Sequence, residues 1–331
     1  MNRVPNIKLD DIRIGPYSSF LYICQDGYSV NKSPVPGLDN SQVLAKLNEC
    51  QPLISPDGNY HNEILKTVFN IGLKNAEARP LWIIPNSIRC LRAVVRKKSG
   101  AAMRGIVDCT LHRKFAQLVD KGIKHKVEFA NKYGLLGRHE LHNVVFRDAD
   151  TGQQFQMGES LLWWEEEILH LSACVKLWDM ICSKNRQLKH VVLWHRDGIF
   201  ISLDGLEKQL VNRANMNLLT KWSKGDTRGP ATYYLLLELS SKLEDSLSLR
   251  LSDQPDHEVA VNSNTLLSEI WFMFLLEVTG RTRLMRCKVC GDYFNAYDPR
   301  SQFCSTRCRM RKYRKRDQKI KLEKGWQGRL L

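Results

Sequence analysis

Residues 286–316 read RCKVCGDYFNAYDPRSQFCSTRCRMRKYRKR, and this stretch decides the fold of the C-terminal part of the chain. Four cysteines stand in it at the spacing C-x2-C-x13-C-x3-C, namely Cys287, Cys290, Cys304 and Cys308. Two short-loop pairs can direct four thiolate sulfurs at one point, as in structural zinc sites. We therefore predict that these four cysteines bind one structural Zn²⁺, because four thiolates leave no coordination position for a catalytic water.

The residues around the cysteines support this interpretation. Gly291 directly follows the first pair, where the chain must turn tightly. Phe294 and Phe303 lie between the two pairs, and we expect them to form a small apolar cluster. The sequence therefore has both the turn and the apolar residues that a small metal-centred fold needs.

The segment that follows Cys308 is strongly basic and contains no Pro or Gly before Gly325, which predicts a helix that starts at the metal site. We expect its cations, together with Arg307, to contact the phosphates of a nucleic acid. The candidate residues are Arg307, Arg309, Arg311, Lys312, Arg314, Lys315 and Arg316.

Charge is concentrated at the same end of the chain. The 331 residues carry a formal net charge of +15. Residues 281–331 hold 16 Lys and Arg against 4 Asp and Glu, a net charge of +12, which leaves only +3 on the first 280 residues. This asymmetry is typical of a polyanion-binding tail on a nearly neutral body.

The string C-x2-C-G-x2-F…F-C-S-x2-C-R-x-R…Y-R-x-R, over residues 283–316, resembles the C-terminal zinc finger of bacterial CGNR-type proteins. In that family a helical, ABATE-like domain precedes the finger. The resemblance implies zinc at the four cysteines and a DNA-binding role in transcription regulation. Where the family has Cys-Gly-Asn-Arg, this chain has Cys308, Arg309, Met310 and Arg311, so the Gly-Asn pair is replaced.

The remaining sequence predicts a cytoplasmic protein without a membrane anchor. The N-terminus MNRVPNIKLDD lacks the apolar region of a signal peptide, and the other six cysteines show no paired spacing. The most apolar stretch, residues 266–278, contains Glu269 and Glu277 and is too short to cross a bilayer. We expect it to be a core helix.

The fold class expected from these patterns is mainly α. We predict an irregular segment over 1–60, a mainly helical body over 61–280 with a few short β-hairpins, and the four-cysteine zinc finger with its basic helix over 281–331. The resemblance to the CGNR-type family implies that the helical body is ABATE-like. Predicted hairpins turn at Asp26-Gly27 and at Asp197-Gly198. Apolar spacing predicts helices over 61–73, 160–182, 206–222, 230–247 and 266–278.

Two further patterns have an ordinary interpretation. Residues 89–104 form a basic cluster without an acidic residue, which we interpret as a solvated helix face. Glu167 and His170 form an E-x-x-H pair, but a di-iron site needs a second such pair, so an ordinary helix surface is expected.

Three functions are compatible with the sequence. We predict a nucleic-acid-binding protein that is not an enzyme, with DNA favoured over RNA, whose body senses a small-molecule effector or forms a homo-oligomer. The alternative is an interaction module whose finger binds protein or RNA and not DNA. A third, an enzyme with its site in the helical body, needs convergent polar residues in a pocket.

Overall fold

The computed structural model describes separate parts of the chain. These are residues 14–24, 26–32, 51–52, 81–86, 91–98, 108–137, 146–147, 154–155, 158–183, 186–203, 206–212, 215, 220–244, 246–251, 259–263, 265–280, 284–296, 298 and 300–314. The helix predicted over 61–73 lies outside the described residues.

Seven α-helices lie in the described parts. Six of them are α1 (Leu111–Ala116), α2 (Ile123–Tyr133), α3 (Leu161–Cys182), α4 (Leu188–Val191), α5 (Arg228–Leu243) and α6 (Leu266–Val278). The seventh, α7, begins at residue 306 and is described through 314. A 3₁₀ helix over Gln117–Asp120 follows α1. None of the described helices is both long and apolar enough to cross a membrane.

Helix α6 is the core helix that the sequence predicts, with the same bounds. Its first turn is closed by a capping box, in which the Ser268 N–H donates to Thr265 Oγ1 at 3.0 Å and the Thr265 N–H donates to Ser268 Oγ at 3.2 Å. Gly280, with φ 74°, follows the last turn in the left-handed region that favours glycine. Local capping and glycine chemistry therefore define both ends.

Much of the core is formed by large side chains of four helices. Helix α1 packs on α3 and α6, and α5 packs on the same two helices. Trp164 of α3 and Trp271 of α6 are fully buried. The Trp164 ring lies 6.1 Å from that of Phe115, and the Trp271 ring lies 6.2 Å from that of Phe274. The apolar spacing that predicts α3 thus lies mostly on the buried side of the helix.

Short strands are numerous in the described residues, although helices hold more of them. They are β1 (Ile14–Cys24), β2 (Tyr28–Asn31), β3 (Gln51–Pro52), β4 (Trp82–Pro85), β5 (Leu91–Lys98), β6 (Phe146–Arg147), β7 (Gln154–Phe155), β8 (Glu159–Ser160), β9 (Val192–His195), β10 (Gly198–Leu203), β11 (Leu206–Asn212), β12 (Leu247–Leu251), β13 (Val259–Ser263), β14 (Leu284–Arg286) and β15 (Tyr293–Asn295). The fold combines a helical core with several small sheets. Its β content is therefore larger than the few short hairpins that the sequence predicts.

The sheets are small and mostly antiparallel. The largest has the order β12-β13-β1-β5, in which β1 and β13 are parallel and the other neighbours antiparallel. Three-stranded sheets have the orders β2-β4-β8, β3-β6-β7 and β11-β10-β9, and β14 pairs with β15. Strand β1, from the N-terminal segment, thus joins strands that belong to the predicted body.

The hairpin predicted at Asp26-Gly27 is wrong. A turn is present, since the Gly27 N–H donates to the Cys24 carbonyl at 3.1 Å, but β1 pairs with β5 and β13 while β2 pairs with β4. The Tyr28 N–H donates to Asn131 Oδ1 of α2 at 2.6 Å. The first N–H of β2 is therefore committed to a helix and not to β1.

The helix predicted over 206–222 is wrong at its start. Residues 206–212 form β11, which pairs antiparallel with β10 and extends the confirmed hairpin at Asp197-Gly198. Leu206 and Leu210 are four residues apart, a spacing that places side chains on one face of either a helix or a strand. The Asp204-Gly205 dipeptide, a turn signal, separates β10 from β11 in the sequence.

The basic cluster is also not a helix face. Its residues 91–98 form β5, which pairs antiparallel with β1 from Cys24↔Leu91 to Tyr17↔Lys98. Val94 and Val95 favour a strand because β-branched side chains pack well on a pleated surface.

Candidate metal centre and basic helix

The first pair of cysteines lies on a tight turn between β14 and β15. The Cys287 N–H donates to the Asp292 carbonyl at 2.8 Å, and the Gly291 N–H donates to the Cys287 carbonyl at 3.0 Å. Gly291 has φ 81°, a conformation that a residue with a Cβ rarely adopts. The predicted tight turn at Gly291 is confirmed, and it brings Cys287 and Cys290 to the same side.

The second pair lies at the start of α7. Cys304 precedes the helix and Cys308 is in its first turn. Ser305 acts as the N-cap, since its Oγ accepts from the Cys308 N–H at 3.3 Å. The Lys288 N–H donates to the Gln302 carbonyl at 3.1 Å, which ties this half to the first turn.

The four sulfurs form one cluster, as the sequence predicts. All four Sγ atoms of Cys287, Cys290, Cys304 and Cys308 lie within 4.8 Å of one another. Cys304 Sγ is 3.5 Å from Cys290 Sγ and 3.6 Å from Cys308 Sγ. A tetrahedron with metal–sulfur bonds of about 2.3 Å has edges of about 3.8 Å, whereas a disulfide brings sulfurs to about 2.05 Å. The cluster could therefore hold a metal ion.

Hydrogen bonding within the cluster favours a thiolate at Cys287, whose residue is only 3% exposed. Desolvation raises the pKa of Cys287, but the backbone N–H groups of Cys290, Cys304 and Val289 donate to the sulfur and lower its pKa to about 6. The Asp292 N–H lowers the pKa of Cys290, yet desolvation and the neighbouring thiols raise it to about 12. Deprotonating several neighbouring thiols is unfavourable because the thiolates repel one another, unless a bound cation offsets the repulsion.

Helix α7 carries an exposed row of cations. The predicted contact residues that the structure describes are all exposed, and they are Arg307, Arg309, Arg311, Lys312 and Arg314. Lys315 and Arg316 lie outside the described residues. Met310 and Tyr313, at 48% and 50% exposure, are the large apolar side chains of the same helix.

A groove of about 390 Å³ lies between α7 and the loop that precedes Cys304. The side chains that define it are Asp298, Arg300, Phe303, Arg309, Lys312 and Tyr313. Lys312 Nζ lies 5.3 Å from the centroid of the Phe303 ring. Phe303 is half-buried and lines this groove. Arg300 is not among the residues predicted from the sequence, where its only signal is a positive charge within the finger.

The finger also contacts the helical body. Arg113 of α1 is buried and places its guanidinium carbon 4.4 Å from the centroid of the Tyr293 ring in β15. Arg113 donates twice to Asp179 of α3, both at 2.8 Å, and its Nε donates to Glu277 Oε2 of α6 at 3.0 Å. No sequence pattern connects these residues, because they are far apart in the chain.

The ion-pair cluster at this contact shifts the pKa values of two buried residues, Glu277 and His112. Desolvation raises the pKa of Glu277, but hydrogen bonds from His112 and Arg113 outweigh it and leave the pKa below its usual value. Desolvation lowers the pKa of the fully buried His112, whose Nε2 lies 2.6 Å from Glu277 Oε2. The cluster therefore favours an ionised Glu277.

The E-x-x-H pair is not an ordinary helix surface. Glu167 is buried and accepts from Lys242 at 2.6 Å, while His170 Nε2 lies 2.9 Å from Glu238 Oε2. Lys208 also donates to Glu238 at 2.6 Å. The two carboxylates are thus used in ion pairs, and within the described residues the four cysteines alone form a group of metal-ligating side chains.

Comparison with known proteins gives no relative. No protein-family model, no curated protein and no solved structure matches this chain. The resemblance of residues 283–316 to the CGNR-type finger therefore stays a prediction. What the structure adds is the geometry of a four-cysteine cluster joined to an exposed basic helix.

Proposed function

We propose that this chain is a zinc-containing nucleic-acid-binding protein that acts as a DNA-binding transcription regulator and not as an enzyme. One observation carries the proposal. Helix α7 begins inside the four-cysteine cluster and exposes five basic side chains over residues 307–314. A metal at the cluster would fix the start of this helix, and the cations would contact phosphates.

Zinc is the metal that suits this donor set. Thiolate ligands in a tetrahedral array favour Zn²⁺ or iron–sulfur chemistry, and the sulfur spacings of 3.5 and 3.6 Å match a single four-coordinate ion. With four thiolates the ion has no open position, so its proposed role is structural. The CGNR-type resemblance supports the same assignment, and it is the reason to favour DNA over RNA.

Electrostatics support a polyanionic partner. The net charge of +12 over residues 281–331 is carried by the same segment that contains α7. Neutralising six or so phosphates releases condensed counterions, so the logarithm of the binding constant should fall against the logarithm of salt concentration with a slope of about −5. A hydrophobic or purely shape-based interface would not give such a slope.

A binding titration tests this function. The zinc-loaded protein is titrated against labelled duplex DNA at several salt concentrations, alongside the Arg311→Glu/Arg314→Glu variant. We expect the variant to reduce the magnitude of the slope by about 2. Lys189→Glu, an exposed site in α4, is the matched control and should leave the slope unchanged. A flat salt dependence of the parent protein would contradict the proposal.

The exposed Met310 and Tyr313 support the alternative, in which the finger binds protein or structured RNA. That function predicts binding that survives charge reversal at Arg311 and Arg314 but not removal of zinc. The Arg311→Glu/Arg314→Glu variant and removal of zinc from the parent protein therefore separate the two functions.

A further inference from the structure

We propose that the groove between α7 and the preceding loop binds one unpaired nucleotide of the bound nucleic acid. The inference rests on the proposed nucleic-acid binding and goes beyond it, because it concerns an unpaired nucleotide and not a paired duplex. It follows from three properties of the groove, which are its size, its charge and its exposed aromatic ring.

The size of the groove suits a small ligand. Its volume of about 390 Å³ lies within the range of roughly 300–1,000 Å³ that is usual for ligand pockets. Its loop side is held by a turn, in which Asp298 Oδ1 accepts from the Arg300 N–H at 2.8 Å and the Asp298 carbonyl accepts from the Ser301 N–H at 2.9 Å. The wall formed by this loop is therefore preformed.

The charge of the groove suits a phosphate. Arg300, Arg309 and Lys312 line it, against the single carboxylate of Asp298. The cations come from both walls, because Arg300 lies on the loop while Arg309 and Lys312 lie on α7. A phosphodiester at the groove would therefore meet positive charge from two sides.

The aromatic ring of Tyr313 supplies a surface for a base. Tyr313 lines the groove and is 50% exposed, so part of it is open to solvent. Phe303, the other ring, lies beneath the ammonium group of Lys312. Stacking on an exposed aromatic side chain is the common way in which proteins bind unpaired bases.

These properties favour an unpaired nucleotide over a base pair. In a duplex the faces of the bases are stacked on one another, and only their edges are accessible from the grooves. A ring such as Tyr313 can stack only on a base that has left the stack. The groove should thus be occupied in a single strand and empty in a fully paired duplex.

The test compares a single strand with a duplex of the same sequence. Each carries one 2-aminopurine, and binding to the zinc-loaded protein is followed by fluorescence anisotropy and by 2-aminopurine quenching, with DNA and RNA strands as separate arms. We expect Tyr313→Ala to weaken single-strand binding by about tenfold and to remove the quenching. Tyr313→Phe, which keeps the ring, should retain both the single-strand affinity and the quenching. Neither substitution should change the affinity for the duplex by more than twofold.

Arg314→Ala serves as the matched control on α7, since Arg314 does not line the groove, and it should weaken binding to both forms equally. Equal weakening of single strand and duplex by Tyr313→Ala, or a Tyr313→Phe variant as weak as the alanine variant, would overturn the inference and leave the proposed function standing. Absence of binding to every nucleic acid by the parent protein would overturn both. Retained zinc content in each variant confirms that the finger is intact.

Discussion

The guanidinium carbon of Arg113 lies 4.4 Å above the ring of Tyr293, and this contact joins the helical body to the finger. Each residue is held in place by its own part of the structure. Arg113 is held by Asp179 and Glu277 at the ends of two core helices, and Tyr293 lies in the strand that follows the first cysteine pair. The finger is therefore seated on a buried ion-pair cluster of the body.

Replacement of Arg113 by Ala should destabilise the body strongly. Glu277, which is buried, would lose its guanidinium partner and keep only the contact with His112, and breaking a buried ion pair typically costs about 3–5 kcal/mol. Urea denaturation followed by tryptophan fluorescence measures the loss. Tyr293→Ala removes only the stacked ring, so its cost should be about 1–2 kcal/mol. A Tyr293→Ala effect as large as that of Arg113→Ala would show that the ion pairs are not the main stabilising element.

Acid should weaken the body through Glu238. The hydrogen bond from His170 is the main cause that lowers the pKa of Glu238 to about 2, from an ordinary value of 4.5. Because the folded pKa is the lower one, this carboxylate stabilises the fold above about pH 4.5, and the stabilisation is lost as pH falls toward 2.

The free energy of unfolding, measured at several pH values between 5 and 2, checks this prediction, and Glu238→Gln should flatten the decline. Glu166→Gln, an exposed position on the same helix as His170, should leave the pH dependence as in the parent protein. Parallel curves for the parent protein and Glu238→Gln would contradict the assignment.

Loss of one sulfur should empty the metal site without unfolding the body. Cys304→Ser removes the ligand whose Sγ lies 3.5 and 3.6 Å from two others. We expect elemental analysis to show a fall from about one zinc per chain to nearly none, with the helical circular dichroism of the body retained. Cys182→Ser, an exposed free thiol outside the cluster, is the control and should keep its zinc. Undiminished zinc in Cys304→Ser would mean that the site has been misassigned.

Gly198→Ala should disrupt the sheet of β9, β10 and β11. An added Cβ would collide with the carbonyl oxygen of Val211 in β11, which cannot move without breaking the pairing. A cost of about 1–3 kcal/mol is expected from such overpacking. Gly225→Ala offers a matched comparison, since Gly225 also has positive φ but no atom lies within 4 Å of the added Cβ. In thermal denaturation, the Tm of Gly198→Ala should lie well below the Tm of Gly225→Ala.

Local patterns were enough for part of this fold. The bounds of α6 follow from Thr265 at its start and Gly280 after its end, and the sulfur cluster follows from the cysteine spacing. Each of these features depends on residues that are close in sequence. Capping, glycine chemistry and metal-ligand spacing act over a few residues and can be recognised directly.

Long-range pairings could not be recognised in this way. The parallel pairing of β1 with β13 joins Ile14 to Val259, and no local pattern selects that partner. Leu206 and Leu210 fit a helix as well as a strand, so only the pairing with β10 decides between them. The contact of Arg113 with Tyr293 is of the same kind, because it joins two residues that are far apart in the sequence.

The position of Cys308 within the first turn of α7 has a thermodynamic consequence. A short helix is marginal in water, and Arg307 and Arg311, one turn apart, repel each other. A metal at the sulfurs would hold that turn in place, and a polyanion along the helix would relieve the repulsion. Each would therefore strengthen the binding of the other by the same factor, as reciprocity of coupled equilibria requires.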